Sequence, residues 1–283
     1  MKDKIVFYHG DCADGFSAAW AAWKKFKGKA DYVPIKASQS PDQLRGLVLK
    51  NKEIYFLDVC ASEEVLKSLL SSNKSVTVID HHATNREKVK FATKSVFDLN
   101  NSGSVLSFRY FHPEKKMPLL LNYVEDNDLW RFKLPDSTAL AIWLRLRRFK
   151  FEEWDKAVKD VENKKIRSKF IEEGKLLINY EDGIIRDILG HAYEINFKGY
   201  LAKAVNTSVA HSQVGHRLLD KKHKIGIVWY EDGKVRKYSL RSEGATDVSE
   251  IAKLFPGGGG HKHAAGFTLP ANESFPWDIV QKL

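Results

Sequence analysis

Three short apolar runs in the first third of the chain each end directly in a histidine or an aspartate. The runs occupy residues 5–8, 54–57 and 76–79, and they are followed by His9, Asp58 and Asp80. Between the runs, apolar residues recur at helical spacing, most clearly over 16–26 and 63–70. Buried strands that alternate with amphipathic helices predict an α/β fold with a mostly parallel sheet and helices on both faces.

A further strand is predicted at 32–35, and a helix is predicted to open near Ser40 and Pro41, since proline suits a first helical turn. Ligands of such sheets bind at the carboxyl ends of the strands. The acidic and histidine residues at these ends are His9, Asp11, Asp14, Asp58, Asp80, His81 and His82. Any one of them alone would be interpreted as a solvated side chain. As a set they predict a site for Mn²⁺ or Mg²⁺, and two such ions activate water and stabilise a phosphoester under attack.

The second half of the chain has a different pattern. Residues 150–191 are polar and favour helices that lead into a linker. A smaller domain is predicted to begin near 192, with a hairpin of strands at 225–230 and 235–240 around an Asp-Gly turn. A short helix from Asp247 to Phe255 follows, and then a glycine-rich stretch whose backbone N–H groups suit an anion or a terminal nucleotide. Arg241 could grip a phosphate beside it.

The composition is that of an ordinary globular protein, with 43% hydrophobic and 29% charged residues. The net charge of +10 suits a nucleotide or short nucleic acid as partner, although a solubility role explains it equally well. We see no targeting segment and no run of about 18 apolar residues that could span a membrane, so we expect a cytoplasmic protein without a membrane partner. The sequence is compatible with a monomer and with a homodimer.

Taken in order, these motifs resemble the DHH/DHHA1 phosphoesterase family, which includes the RecJ exonucleases and the bacterial nanoRNase and pAp-phosphatase enzymes. The resemblance spans nearly the whole chain. It rests on the segments 9–15, Asp58, 80–82, Ser102-Gly103, Asp126, 239–242 and 257–261.

The resemblance implies a catalytic DHH domain at 1–150, a helical linker at 151–191 and a substrate-binding DHHA1 domain at 192–283. It implies one Mn²⁺ or Mg²⁺ on His9 and Asp58, and a second on Asp14, Asp58, His81 and Asp126. His82 would face the scissile phosphate, supported by Asp80, with Asp58 as the third catalytic residue. The far end of the substrate would be held by Arg241, Gly257, Gly258, Gly259, Gly260 and His261.

One position departs from the family pattern. The family's first motif usually reads Asp-x-Asp-Gly, and here its first aspartate is replaced by Cys12. The change removes a hard oxygen ligand and weakens the first metal site, unless Cys12 or Asp11 serves as a ligand instead. Cys12 and Cys60 could equally be small buried residues.

Three functions are compatible with these residues. The leading one is metal-dependent hydrolysis of short oligonucleotides or small nucleotides. A manganese-dependent pyrophosphatase shares the first domain but not the glycine-histidine motif. A non-catalytic nucleic-acid-binding scaffold of the same superfamily is disfavoured by the intact set of acidic and histidine residues. A processive exonuclease is less favoured, because 283 residues leave no room for a further nucleic-acid-binding module.

Overall fold

We describe residues 2–10, 12–35, 44 and 49–282 of a computed structural model of the chain. The helix expected near Ser40 and Pro41 and the candidate ligand Asp11 lie outside these residues. The chain forms two compact units, residues 1–178 and 179–283. The predicted functional boundaries at 150 and 191 stay a prediction.

The first unit contains a parallel sheet of five strands in the order β2-β1-β3-β4-β5. The strands are β1 (Lys4–His9), β2 (Ala30–Ile35), β3 (Glu53–Leu57), β4 (Ser75–Asp80) and β5 (Lys94–Phe97). The helices are α1 (Ala13–Phe26), α2 (Glu63–Ser72), α3 (Gly103–Phe111), α4 (Leu119–Asp128), α5 (Ser137–Arg145), α6 (Phe151–Glu162) and α7 (Lys164–Leu189), the last of which continues into the second unit.

Both faces of this sheet are buried, as the continuous apolar runs predict. In β1, Val6 and Tyr8 belong to one apolar cluster, in which they pack with Trp20 of α1 and other helical residues. Ile5 and Phe7 point to the opposite face and belong to a second cluster, which includes residues of α2. Side chains alternate between the faces because successive residues of a strand point in opposite directions. The predicted α/β fold class with helices on both faces is therefore confirmed.

The second unit is built on a mixed sheet of seven strands in the order β10-β11-β9-β8-β7-β6-β12. Its strands are β6 (Tyr193–Phe197), β7 (Tyr200–Asn206), β8 (Ile225–Asp232), β9 (Val235–Ser242), β10 (Gly259–His261), β11 (Ala264–Pro270) and β12 (Asp278–Lys282), and its short helices are α8 (His211–Arg217) and α9 (Val248–Ala252). The hairpin of β8 and β9 is present, but Asp232 pairs with Val235, so its turn lies one residue later than the predicted Asp-Gly centre.

Among the described residues, no helix has the length and apolar character that crossing a membrane requires.

Candidate functional site

The register of the parallel sheet brings the predicted acidic and histidine residues to one edge. Tyr8 of β1 pairs with Leu57 of β3, and Leu57 pairs with Ile79 of β4. The residues that follow these three are His9, Asp58 and Asp80, and they therefore lie side by side at the carboxyl edge of the sheet. This is the expected location of a ligand site in a parallel sheet.

Asp58 is the central residue of this edge. It is 2% exposed and has a left-handed backbone with φ of 58°, a conformation that non-glycine residues adopt mainly at turns and functional sites. Gly103, the first residue of α3, lies against it. A Cβ atom on Gly103 would come within 2.7 Å of the Asp58 Cβ and Oδ1 atoms. Gly103 is thus required for the close approach of α3 to the carboxylate.

The N-terminus of α3 also supports Asp14, which is buried in the first turn of α1. The backbone N–H of Ser104 donates to Asp14 Oδ1 at 3.1 Å. Free N–H groups and the partial positive charge of a helix N-terminus stabilise carboxylates. The helix that begins at the Ser102-Gly103 motif therefore faces two of the predicted metal ligands.

The side chains at this edge form three overlapping groups with the spacing of metal ligands. The groups are His9-Cys12-Asp58, Asp58-His81-His82 and Asp14-His81-Asp128. His81 Nε2 lies 3.2 Å from Asp58 Oδ1, 3.5 Å from Asp128 Oδ2 and 3.9 Å from Asp14 Oδ2. One imidazole nitrogen is thus surrounded by an oxygen from each of three carboxylates.

The same three carboxylate oxygens are buried and accept no hydrogen bond. A buried carboxylate oxygen without a partner is costly and calls for an explanation such as a bound ion. Because Asp14 Oδ2, Asp58 Oδ1 and Asp128 Oδ2 converge on one imidazole, the donor set of carboxylates and a histidine fits a divalent cation of the Mg²⁺ or Mn²⁺ type.

The carboxylates also perturb one another. Burial raises the pKa of Asp14 well above its usual value, and the charges of Asp58 and Asp128 raise it further. Burial and the charge of Asp58 raise the pKa of Asp128 to about 6. Burial would raise the pKa of Asp58 too, but the close imidazoles of His81 and His9 hold it well below its usual range. Such mutually opposed carboxylates are typical of sites built for a cation.

His81 responds in the opposite direction. Burial alone would lower the pKa of His81, but the carboxylate of Asp58, together with the charges of Asp14 and Asp128, raises it to about 9. In the absence of a cation the imidazole is therefore protonated at neutral pH and supplies the positive charge that three carboxylates need.

The contacts of Asp126 do not support its predicted role as a metal ligand. Its Oδ1 accepts from the backbone N–H of Lys133 at 2.9 Å, and its Oδ2 accepts from that of Leu134 at 3.2 Å. Asp126 thus fastens the segment after α4, in which Trp130 has a left-handed backbone. Asp128, two residues later, reaches the histidine in its place. Asp128 was not among the ligands that the motifs implied, and the ligand role of Asp126 stays a prediction.

Asp80 positions the histidines from beneath. It is fully buried, and its Oδ1 accepts from the backbone N–H groups of His81 and His82 at 2.7 and 3.0 Å. The same oxygen lies 2.7 Å from His82 Nδ1, while Oδ2 accepts from Asn85 Nδ2 at 2.7 Å. Asn85 was not identified from the sequence. The hydrogen bond to Asp80 raises the pKa of His82 and leaves its Nε2 as the outward-facing nitrogen.

Cys12 takes part in this edge as a thiol. Its Sγ caps α1 by accepting from Gly15 N–H at 3.3 Å, and it lies 3.3 Å from His9 Nδ1 and 3.6 Å from Asp58 Oδ2. Burial, followed by the charges of Asp58 and Asp14, raises the pKa of Cys12 far above its usual value. These contacts fit Cys12 both as a helix cap and as a metal ligand. Cys60 is buried and belongs to none of the three groups.

In the second unit, Arg241 and His261 stand in one row across three strands. Arg241 of β9 pairs with Ala264 of β11, and Ala264 pairs with His261 of β10. Directly paired residues point to the same face of a sheet, and two strand spacings amount to about 10 Å. Only the small Ala264 lies between the side chains of Arg241 and His261. We call the face formed by these three residues the arginine slot.

Arg241 is held in place from the side of α8. Its guanidinium donates to Ser212 Oγ at 2.6 Å and to its own neighbour's carbonyl oxygen, Leu240 O, at 2.8 Å. Gly215 provides the space for its stem, since a Cβ there would lie 2.9 Å from Arg241 Cγ. The arginine is therefore oriented before any ligand arrives.

The glycine-rich stretch forms the edge of the same sheet rather than a free loop. Gly257 and Gly258 lie in the turn after α9, while Gly259 and Gly260 belong to β10. At Gly260, a Cβ would lie 2.6 Å from Ala264 O and from Ala265 Cα, so the fold itself requires glycine there. Gly259 has open space around it, which leaves its backbone accessible beside the arginine slot.

Residues 175–279 match the DHHA1 domain. The match covers the part of the chain that holds Arg241 and the glycine-rich stretch. The resemblance seen in the motifs of the sequence is confirmed.

The chain is 28% identical over 294 residues to an uncharacterized protein of Acanthamoeba polyphaga mimivirus, a match that covers 95% of this chain and 68% of that protein. Among solved structures, an exopolyphosphatase-related protein from Bacteroides fragilis has a TM-score of 0.53 at 16% identity and is matched over 97% of this chain and 88% of its own. RecJ from Thermus thermophilus, in complex with Mn²⁺, has a TM-score of 0.47 at 17% identity over 94% of this chain and 49% of RecJ. At such identities the Bacteroides structure supports the fold.

The different contacts of Asp128 and Asp126 predict different effects of their substitution. Asp128→Ala should weaken Mn²⁺ binding by more than about tenfold, while the free energy of unfolding in chelator stays equal or rises, because a crowded carboxylate is removed. Asp126→Ala should destabilise the protein by about 1–3 kcal/mol, because two backbone N–H groups lose their acceptor. Calorimetric metal titration and urea unfolding in EDTA measure both effects. Equal losses of stability in the two variants would contradict this assignment.

The raised pKa of His81 predicts that metal binding releases a proton. The imidazole must lose its proton to offer Nε2 to a cation, so Mn²⁺ affinity should rise with pH up to about 9, by about tenfold per pH unit for one displaced proton. Titrations between pH 6.5 and 8.5, repeated in buffers of different ionisation enthalpy, count the protons. His81→Ala should flatten this pH dependence. An affinity that is the same at both ends of the range would refute the interpretation.

Proposed function

We propose that the protein is a metal-dependent phosphoesterase that hydrolyses short oligonucleotides or small nucleotides and releases nucleoside monophosphates or phosphate. The observation that carries the proposal is the convergence of three buried, unpartnered carboxylate oxygens on the nitrogen of His81. The match of residues 175–279 to the DHHA1 domain supports it.

Two neighbouring sets of side chains would each bind one cation. His9, Cys12 and Asp58 would hold one cation, and Asp14, His81 and Asp128 the other, with Asp58 close to both sets. When bound, such cations supply Lewis acidity that activates water and stabilises the attacking and leaving oxygens. The role of the chain is to fix the ligand geometry, and Asp80 and the N-terminus of α3 do so through the contacts described above.

His82 is suited to the phosphate that reacts. Its Nδ1 is engaged by Asp80, and its side chain is 40% exposed. The hydrogen bond with the carboxylate of Asp80 raises the pKa of His82 above its usual value. A protonated imidazole can donate from Nε2 to a phosphoryl oxygen and can pass a proton to the leaving group.

The arginine slot would bind the remote end of the substrate. Arg241 offers a preformed guanidinium, which binds phosphate in a bidentate manner, and His261 with the accessible backbone of Gly259 lies across the slot. A sheet edge with free N–H groups adds to the attraction of an anion. The net charge of +10 favours the same class of ligand.

A second candidate is hydrolysis of a phosphoanhydride, as in a manganese-dependent pyrophosphatase. The similar structure from Bacteroides fragilis is described as exopolyphosphatase-related, which favours this second candidate. A non-catalytic scaffold accounts less well for the residues, because it would have no use for a costly cluster of buried carboxylates.

Purified protein should hydrolyse 5′-labelled RNAs and DNAs of two to five nucleotides, or pAp, in Mn²⁺, and should lose this activity in excess EDTA. His81→Ala and Asp58→Ala should abolish it while the circular dichroism spectrum stays that of the folded protein. Chromatography of the products identifies the bond that is cleaved. Cyclic dinucleotides, pyrophosphate and polyphosphate belong to the same panel, and exclusive cleavage of the last two would favour the second candidate. Full activity in EDTA would refute the proposal.

Substitution in the arginine slot should separate substrate binding from chemistry. Arg241→Ala should raise KM on di- and trinucleotides by about tenfold or more, with a smaller effect on kcat, because a charge-assisted phosphate contact is lost while the residues of the metal site are unchanged. Lys234→Ala, which removes an exposed charge in the β8–β9 turn, is the matched control. If both variants had wild-type kinetics, Arg241 would have no role in substrate binding.

A further inference from the structure

A pocket of about 420 Å³ opens beside the carboxylate cluster, within the first unit. Its lining includes Cys12, Asp14 and Asp128 of the cluster, and also Leu144, Arg145 and Phe149. Pockets that bind small ligands typically measure about 300–1,000 Å³. The volume is therefore sufficient for one ligand group beside the metal ligands.

Part of the lining forms an apolar and aromatic wall. Phe149 stacks on Phe16 with ring centroids 4.9 Å apart and an interplanar angle of 18°, and its edge meets Trp154. It nevertheless remains 37% exposed. One face of the ring is thus fixed by packing, and the exposed remainder borders the pocket. Val124 and Leu144, both almost completely buried, complete this wall.

Arg145 provides the charge at the same wall. It is the last residue of α5 and is exposed, and it forms no ion pair or hydrogen bond within the described part of the chain. Arg147, two residues later, differs from Arg145 in that its guanidinium lies over the Trp143 ring. Arg145 is therefore available to bind an anionic ligand. Asp14 and Asp128 line the same pocket, and their negative charges would repel such a ligand unless bound cations neutralised them.

We propose that this pocket binds the base and phosphate of a nucleotide next to the reacting phosphate, with Phe149 as the stacking surface for the base and Arg145 as the phosphate contact. The inference rests on the proposed function, and it specifies the substrate as a phosphoester that carries a nucleobase. Bases stack on aromatic side chains whatever their sequence, which suits a site for short oligonucleotides. A pyrophosphate or polyphosphate has no group that would use an apolar wall.

Binding of products isolates this pocket from catalysis. In Mn²⁺, 5′-AMP should bind the wild-type protein more tightly than ribose 5-phosphate, which lacks the base, and inorganic phosphate should bind most weakly. Phe149→Leu, which keeps an apolar side chain in the core, should weaken 5′-AMP roughly tenfold and leave ribose 5-phosphate unchanged. Phe149→Trp should restore 5′-AMP binding. Titration calorimetry measures all three ligands.

Arg145→Gln should weaken 5′-AMP and ribose 5-phosphate by the same factor, because the charge contacts the phosphate that both contain. Arg148→Gln, a nearby exposed arginine that does not line the pocket, is the matched control and should change neither. Equal affinity of the wild type for 5′-AMP and ribose 5-phosphate, or equal binding of 5′-AMP by wild type and Phe149→Leu, would overturn the inference.

The outcome is separable from that of the proposed function. Base-dependent binding that depends on Phe149, in a protein that cleaves no phosphoester, would support the pocket and refute the enzyme. Metal-dependent hydrolysis in which pyrophosphate is cleaved as efficiently as dinucleotides, with no preference for 5′-AMP over ribose 5-phosphate, would support a hydrolase and refute the pocket.

Discussion

The mutual repulsion of three carboxylates, each with one buried oxygen, is the constraint on which the first unit depends. Asp14, Asp58 and Asp128 each direct an oxygen without a hydrogen bond towards His81, and burial with like charge is costly. The fold offsets part of that cost with a protonated imidazole and with the N-terminus of α3. The remainder is what a divalent cation would relieve, so stability and metal binding are linked at this site.

The supports of the cluster lie in segments far apart in the chain. Asp58 follows β3, and Asp14 lies in the first turn of α1. Gly103 lets the N-terminus of α3 come close enough to contact both carboxylates. Asp80 has no free oxygen for an ion, because four donors surround it, and its role is to orient the loop that carries the histidines. A change in any of these supports would move a ligand without removing it.

The second unit depends on register in the same way. Arg241, Ala264 and His261 are brought into one row by two antiparallel pairings, and the small middle residue keeps the row open. The glycine-rich stretch proved to be part of this sheet, so its glycines serve the packing of β10 as well as access to the backbone. Arg241 and His261, which the motifs predicted to bind substrate, thus share a face, which no local pattern shows.

The sequence by itself determined the parallel sheet, the strand ends at which His9, Asp58 and Asp80 emerge, and the resemblance to the DHH/DHHA1 family, because apolar periodicity and motif order are local properties of the chain. Only the tertiary structure decided between Asp126 and Asp128, since both lie in one acidic run and differ in what surrounds them. Asp126 accepts from two backbone N–H groups, whereas Asp128, the last residue of α4, lies beside the imidazole of His81, which follows β4. The pocket at Phe149 is likewise invisible in the sequence, because residues 12–14 and residues 124–149, which line it together, are more than a hundred residues apart and meet only once the helices have packed.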